Sequence, residues 1–170
     1  MLIRQEQSSD YHTVYEIVKS AFQNAQHSDG NEQDLVEALR SSKAFVPELS
    51  LVAIYNGTLA GHILFTKATV NGKVVLALAP LSVLPAYQRE GIGQALIAEG
   101  HRIARDLGYE YSVVLGDTQY YRRAGYRPAR FFGIKAPLDV PDANFMAIQL
   151  QPTAECLNGT VAYDPAFGIW

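Results

Sequence analysis

The sequence predicts a mixed α/β (α+β) fold: a mostly antiparallel, twisted sheet with helices on both faces. Three observations carry this prediction. Apolar stretches at 49–55, 59–70 and 73–84 are joined by Asn56-Gly57 and Asn71-Gly72, dipeptides suited to two-residue hairpin turns. The third stretch runs through a glycine-bearing turn into a helical period. A further apolar run, at 111–115, follows that helix, so it is expected to lie parallel to the third strand through a right-handed crossover.

Taken in order, residues 2–4 read as a short strand. Ser8-Ser9-Asp10 offers helix caps, and Val14, Ile17, Val18, Ala21 and Phe22 follow at helical spacing. Residues 24–30 are polar and turn-like. Asn31 to Asp34 resembles a capping box opening a second helix, with Leu35, Val36 and Leu39 as its apolar face. Glu32, three before Leu35, shares that stripe, where an acid is unexpected unless the helix dipole favours it in the first turn. The third strand starts as a continuous apolar run, resumes after Pro80 as Leu81-Ser82-Val83-Leu84, and is closed by Pro85. Ile92, Leu96, Ile103 and Leu107 then mark one side of a helix, with Ala95, Gly100 and Ala104 small enough for close packing and Gly108 as its C′ residue. A turn at Gly116-Asp117-Thr118, a short helix over 119–124, a strand at 145–150 and a last one at 160–163 complete the chain.

With 170 residues, 48% hydrophobic and 18% charged, the chain reads as one domain over 1–170. A net charge of −3 argues against nucleic acid as the main partner. The single Cys156 excludes an internal disulfide and fits a reducing compartment. No run is long enough for a membrane span, and the N-terminus turns polar too early for a signal peptide, so a cytoplasmic location is expected. His12, His27, His62 and His101 lack metal-ligand spacing, and no metal is assigned. An exposed strand edge would make a homodimer unsurprising.

The chemistry is concentrated at Gln88-Arg89-Glu90-Gly91-Ile92-Gly93. Glycines let the backbone bend and a ligand come close, and a helix N-terminus favours phosphate. A dinucleotide fingerprint needs a small residue at position 96, which is Leu; a Walker A loop needs Lys-Ser/Thr after Gly93, which is followed by Gln94-Ala95. What remains, Gln/Arg-x-x-Gly-x-Gly/Ala, resembles the GCN5-related N-acetyltransferase (GNAT) family. The blocks LALAPLSVLPAYQREGIG and VVLGDTQYYRRAGYRPA look like its YhbS-type branch.

The resemblance implies acetyl-CoA as acyl donor, held in a cleft between splayed fourth and fifth strands. It implies transfer of acetyl to a primary amine of a small molecule or protein. Leu81, Val83, Arg89, Gly91, Ile92, Gly93, Gln94 and Tyr120 are then expected to line the donor, with the Val83 amide facing the developing oxyanion. Tyr121, four before Gly125-Tyr126, takes the place of the general acid that protonates the leaving thiolate. An ordinary Tyr pKa of ~10 matches a thiol of ~8.5. Of Tyr120 and Tyr121, one is expected to face the core and the other the donor. Glu32 is the candidate base. Arg122 and Arg123 would meet the 3′-phosphate or lie on an exposed helix face. Asp117 departs from the Asn of many members. The acceptor side is expected from the first two helices and the 131–141 loop. A non-catalytic acyl-CoA sensor would keep the glycine turn without needing Tyr121.

Overall fold

Asn-Gly turns require two successive left-handed residues, and the computed structural model, which describes residues 1–25 and 28–168, has them. Asn56 and Gly57 take φ 51° and 77°, and Asn71 and Gly72 take 49° and 78°. They join β2 (Phe45–Tyr55), β3 (Thr58–Val70) and β4 (Lys73–Val83) into an antiparallel meander. β1 (Leu2–Gln5) adds to the outer side of β2, and α1 (Tyr11–Phe22) and α2 (Glu32–Arg40) precede the meander. α3 (Ile92–Asp106) crosses from β4 to β5 (Tyr111–Leu115), which pairs parallel with β4 as expected. α4 (Thr118–Arg123) is followed by the two-residue strands β6 (Arg127–Pro128) and β7 (Ile134–Lys135), then β8 (Phe145–Gln149) and β9 (Gly159–Ala162). The main path of the sheet is β1-β2-β3-β4-β5-β8-β6.

The period of 2 along β3 and β4 assigns the two faces. On one, Ile63, Phe65, Leu76 and Leu78 pack with Ile92, Leu96 and Ile97 of α3. On the other, Val52 and Leu64 pack with Val14 and Val18 of α1 and Val36 and Leu39 of α2. Ala77 and Val113 share that second face with Phe132, Ala136 and Val140 of the 131–141 loop. A Cβ at Gly100 would run into the Phe65 ring, so that glycine lets α3 sit close on the sheet.

Several local expectations change. The buried side of α3 keeps the expected Ile92, Leu96, Gly100 and Ala104 and extends to Ile97 and His101, while Leu107, past the end of the helix, is 44% exposed. Asn31 makes no side-chain cap, and Gln33 rather than Glu32 is buried with Val36 and Leu39. Gln33 is satisfied there by donating Nε2–H to the Gly30 carbonyl at 3.0 Å. β2 begins at Phe45, earlier than the apolar pattern implied, because a shift in register between Phe45 and Ser50 absorbs Pro47. β6 and β7 are too short for any period to announce them. Positions 26 and 27 of the expected 24–30 turn, His27 included, lie outside the described residues.

Candidate active site

β4 and β5 pair only at Leu76–Ser112 and Ala77–Val113. Beyond them β4 continues to Val83 along β3 while β5 continues along β8, so the two strands part. The parting follows a register shift between Ile63 and Phe65, opposite which β4 carries the cis Ala79-Pro80 bond. In a strand, successive backbone groups alternate in direction. Leu84 N–H donates to the Ala60 carbonyl of β3 at 2.8 Å, so the amides of Val83 and Leu81 turn away from β3, into the gap. Gln88 Nε2–H donates to the Val83 carbonyl at 3.2 Å and ties the following turn to the strand.

That turn has two left-handed residues, Arg89 (φ 67°) and Gly91 (φ 83°). A Cβ at Gly91 would meet nothing within 4 Å; the position needs glycine for its backbone angle and leaves open space beside the first turn of α3. Successive left- and right-handed residues there aim neighbouring amides together, a concavity suited to an anion. At Gly93 the reason for glycine differs: a Cβ would strike the Tyr120 hydroxyl and come within 3.6 Å of Leu81 Cδ2. Gln94 Nε2–H donates to the Tyr120 carbonyl at 3.0 Å. Its side chain therefore braces α3 against α4.

α4 is set by Asp117, whose carboxylate accepts from Tyr120 N–H at 2.8 Å as an N-cap. Tyr120 and Tyr121 both reach the α3 face, edge to face with ring centroids 5.2 Å apart. Both are half-buried. Tyr121 packs edge-on against Tyr126 at 5.8 Å and over Gly116, where a Cβ would lie 2.6 Å from its ring. Its hydroxyl has no protein hydrogen-bond partner among the described residues. Burial, with smaller contributions from Tyr120 and Asp117, pushes its pKa well above the ordinary tyrosine value. The close match to a thiol expected from unperturbed values is therefore absent from the site without donor, and Tyr121 is protonated at neutral pH. Burial likewise raises Tyr120, opposed by Arg123, whose guanidinium lies 5.5 Å from the Tyr120 ring centre. Tyr126 is fixed beneath them by contacts to His101 Nε2 at 3.0 Å and Ser112 Oγ at 2.8 Å.

The structure thus brings Leu81, Val83, Arg89, Gly91, Ile92, Gly93, Gln94, Tyr120 and Tyr121 to one end of the β4–β5 gap. It does not bring Glu32 into hydrogen bond with any of them. The Glu32 carboxylate accepts the Ser28 hydroxyl at 2.8 and 2.9 Å, on the opposite face of the sheet. Arg89 and Arg122 are exposed, without an ion pair among the described residues. The 131–141 loop borders a cavity of about 350 Å³ whose wall includes Phe145, the partner of Leu115 at the end of β5. Cys156 is a free, exposed thiol. Among the described residues no group of three or more His, Cys, Asp or Glu could hold a metal ion, and no helix is long and apolar enough to cross a membrane.

Parted parallel strands, inward-turned amides and a glycine turn opening a helix make a gap suited to an extended anionic ligand. The acetyltransferase (GNAT) family profile matches residues 11–126, and the chain belongs to that family. It is 39% identical over 139 residues to the uncharacterized N-acetyltransferase YjhQ of Escherichia coli, covering 79% of this chain and 74% of that one. It is 30% identical over 162 residues to the uncharacterized N-acetyltransferase YhbS of Escherichia coli, covering 94% and 92%. A crystal structure of a GNAT family acetyltransferase from Brucella melitensis in complex with acetyl-CoA superposes with a TM-score of 0.80 at 36% identity, over 98% of this chain and 97% of that one. Escherichia coli YhbS in complex with CoA gives 0.85 at 26% identity, over 99% and 92%. The fold is accordingly one that binds acetyl-CoA and supports acetyl transfer.

Proposed function

We propose that the protein moves an acetyl group from acetyl-CoA to a primary amine of a small molecule or protein by direct attack, with Tyr121 as general acid. The observation that carries this reading is the parting of β4 from β5 after Ala77 and Val113, with the Val83 amide turned into the gap. The turn at Gly91 to Gly93 would hold the donor's phosphates through backbone amides. Leu81, which lies by Gly93, would flank the pantetheine arm. The Val83 N–H would donate to the carbonyl oxygen as negative charge builds on it. The Tyr121 hydroxyl, protonated and unpartnered, would hydrogen-bond the sulfur and give up its proton as the thiolate leaves. Its raised pKa means that full transfer waits until the sulfur carries charge, which concentrates its help in the transition state. Tyr120 would close the first turn of α3. The acceptor would approach from the α1/α2 face, where the 131–141 loop also packs.

The test is release of CoA thiol from acetyl-CoA in the presence of primary amines. Amine-dependent release supports the reading. Saturable acetyl-CoA binding without release to any amine, in native protein and Tyr121→Phe alike, would favour a binding domain instead.

A further inference from the structure

The α1/α2 face of β3 carries a polar cluster that the donor chemistry leaves without a task. Arg40 of α2 donates through Nε and Nη2 to the two carboxylate oxygens of Glu6, at 3.1 and 2.6 Å. The Ser50 hydroxyl donates to Glu6 Oε1 at 2.9 Å. His62 Nε2 lies 3.1 Å from Ser50 Oγ and 3.7 Å from Glu6 Oε2. His62 and Glu6 side chains are 0% and 2% exposed.

The hydrogen bonds settle the tautomer. A carboxylate only accepts, so the one Ser50 proton is directed at Glu6, and the imidazole must carry its proton on Nε2 to donate to Ser50. His62 Nδ1 is then a bare lone pair, and it has no partner among the described residues. Ser82, directly opposite His62 on β4, has a buried hydroxyl that is also without a partner. Buried polar atoms are as a rule hydrogen-bonded. Here an acceptor and a donor are left open at paired positions, one of them between Leu81 and Val83.

We propose that His62, oriented by Ser50, Glu6 and Arg40, receives the proton lost by the acceptor amine, relayed through the Ser82 hydroxyl. This rests on the acetyl-transfer reading of the same site. As the N–C bond forms and the C–S bond breaks, one proton leaves the amine nitrogen by way of water in the gap. The Ser82 hydroxyl takes it up as its own proton passes to His62 Nδ1, the two side chains turning toward each other from a resting geometry in which they make no hydrogen bond. The departing thiolate takes its proton from Tyr121, and both groups are reset by exchange with solvent. The imidazolium faces the Glu6 carboxylate, which favours it, and the Arg40 guanidinium, which opposes it. Burial pulls the His62 pKa down to about 4, so the ring is neutral at rest and passes the proton on rather than keeping it. His62 and Ser82 are buried, which makes them positioning and relay residues behind the reacting atoms.

The experiment compares native protein with His62→Gln, Ser82→Ala and Ser82→Thr in two measurements: calorimetric titration with acetyl-CoA, and CoA release with spermidine, kanamycin, glucosamine and a lysine-containing tripeptide. Where no amine turns over, CoA release to water is followed, since a proton must leave that nucleophile too. His62→Gln keeps a donor for Ser50 but has no imidazole lone pair; kcat is expected to fall roughly 100-fold with acetyl-CoA affinity unchanged. Ser82→Ala is expected to lose about 10-fold in kcat and Ser82→Thr, which retains a hydroxyl, to recover most of it. Should His62→Gln fail to fold, the Ser82 pair decides. Unchanged kcat in His62→Gln and Ser82→Ala overturns the relay, as does a loss of acetyl-CoA affinity in parallel with kcat. Native protein that does not bind acetyl-CoA is a separate outcome: there the acetyl-transfer reading itself fails, and the relay with it.

Discussion

The two faces of β4 are built by opposite rules. Toward α3, the glycine turn, Gln94, Tyr120 and Tyr121 leave an open gap and meet it with backbone amides and lightly tethered hydroxyls. Toward α1 and α2, Glu6, Arg40, Ser50 and His62 form a closed polar cluster whose charges are shielded from water. The first arrangement is suited to a large anionic donor that must enter and leave. The second holds an orientation. An open anion site needs little from the rest of the fold, whereas a buried charge pair makes stability depend on each of its members.

Four substitutions or conditions sharpen that contrast. The largest effect is expected at Arg40→Met, which leaves Glu6 buried without its cation. Stability should fall by about 3–5 kcal/mol in urea denaturation, and Glu6→Gln added to Arg40→Met should restore part of it. A loss comparable to an exposed substitution such as Arg89→Met would erase the distinction between the faces. Next, Tyr121→Phe should lower kcat about 100-fold while the acetyl-CoA dissociation constant and the melting temperature stay near native. Equal turnover would remove Tyr121 as the acid.

The pH dependence of stability comes third. Burial lowers the His101 pKa from 6.5 to about 4, with Arg105 adding to the effect. Between these values the unfolded chain binds more protons than the folded one, so stability is full above about pH 6.5 and falls as pH drops toward 4. Roughly 2 kcal/mol should be lost by pH 5 on account of this residue, and a folded His101→Gln variant should show a flatter profile. A profile unaltered by the substitution would mean that His101 binds its proton equally well in the folded and unfolded chain, which contradicts its burial as the cause of a lowered pKa. The smallest effect is expected at Gly93→Ala, whose Cβ clashes with the end of the Tyr120 side chain and makes an ordinary contact with Leu81. Acetyl-CoA affinity should weaken a few-fold as that hydroxyl moves aside, and Tyr120→Phe in the same background should relieve it.

The same contrast explains what the sequence disclosed. The Asn-Gly meander, the crossover to Tyr111–Leu115 and the Gln88–Gly93 turn are local patterns, each contained in a few consecutive residues, and they stand where they were expected. The α3-side residues were legible because a turn and the ends of two neighbouring helices bring them together. The cluster around His62 was not. Its members sit in a loop, a helix and two strands, and each alone looks like an ordinary polar residue; only the β2–β3 register places Ser50 beside His62. Glu32 illustrates the opposite error. Its spacing to Leu35 promised a place on the buried stripe, but α2 is rotated so that Gln33, capped by the Gly30 carbonyl, fills it. Leu107 departs from its stripe because α3 ends at Asp106 and leaves it as the C-cap, while Ile97 and His101 join Ile92, Leu96 and Ala104 inside. The two-residue strands β6 and β7 had no periodicity to read, being defined by pairing with β8 and β9 alone.

The central claim is that acetyl-CoA is held at the turn between β4 and α3, and a calorimetric titration of native protein and Gly91→Val tests it most directly. Saturable one-to-one binding is predicted for the native chain. In Gly91→Val, whose side chain is forced into a left-handed backbone at φ 83°, affinity should fall by roughly 10- to 100-fold, the equivalent of about 1–3 kcal/mol of backbone strain. Absence of binding at millimolar acetyl-CoA, or equal affinity in a folded Gly91→Val protein, would contradict the account.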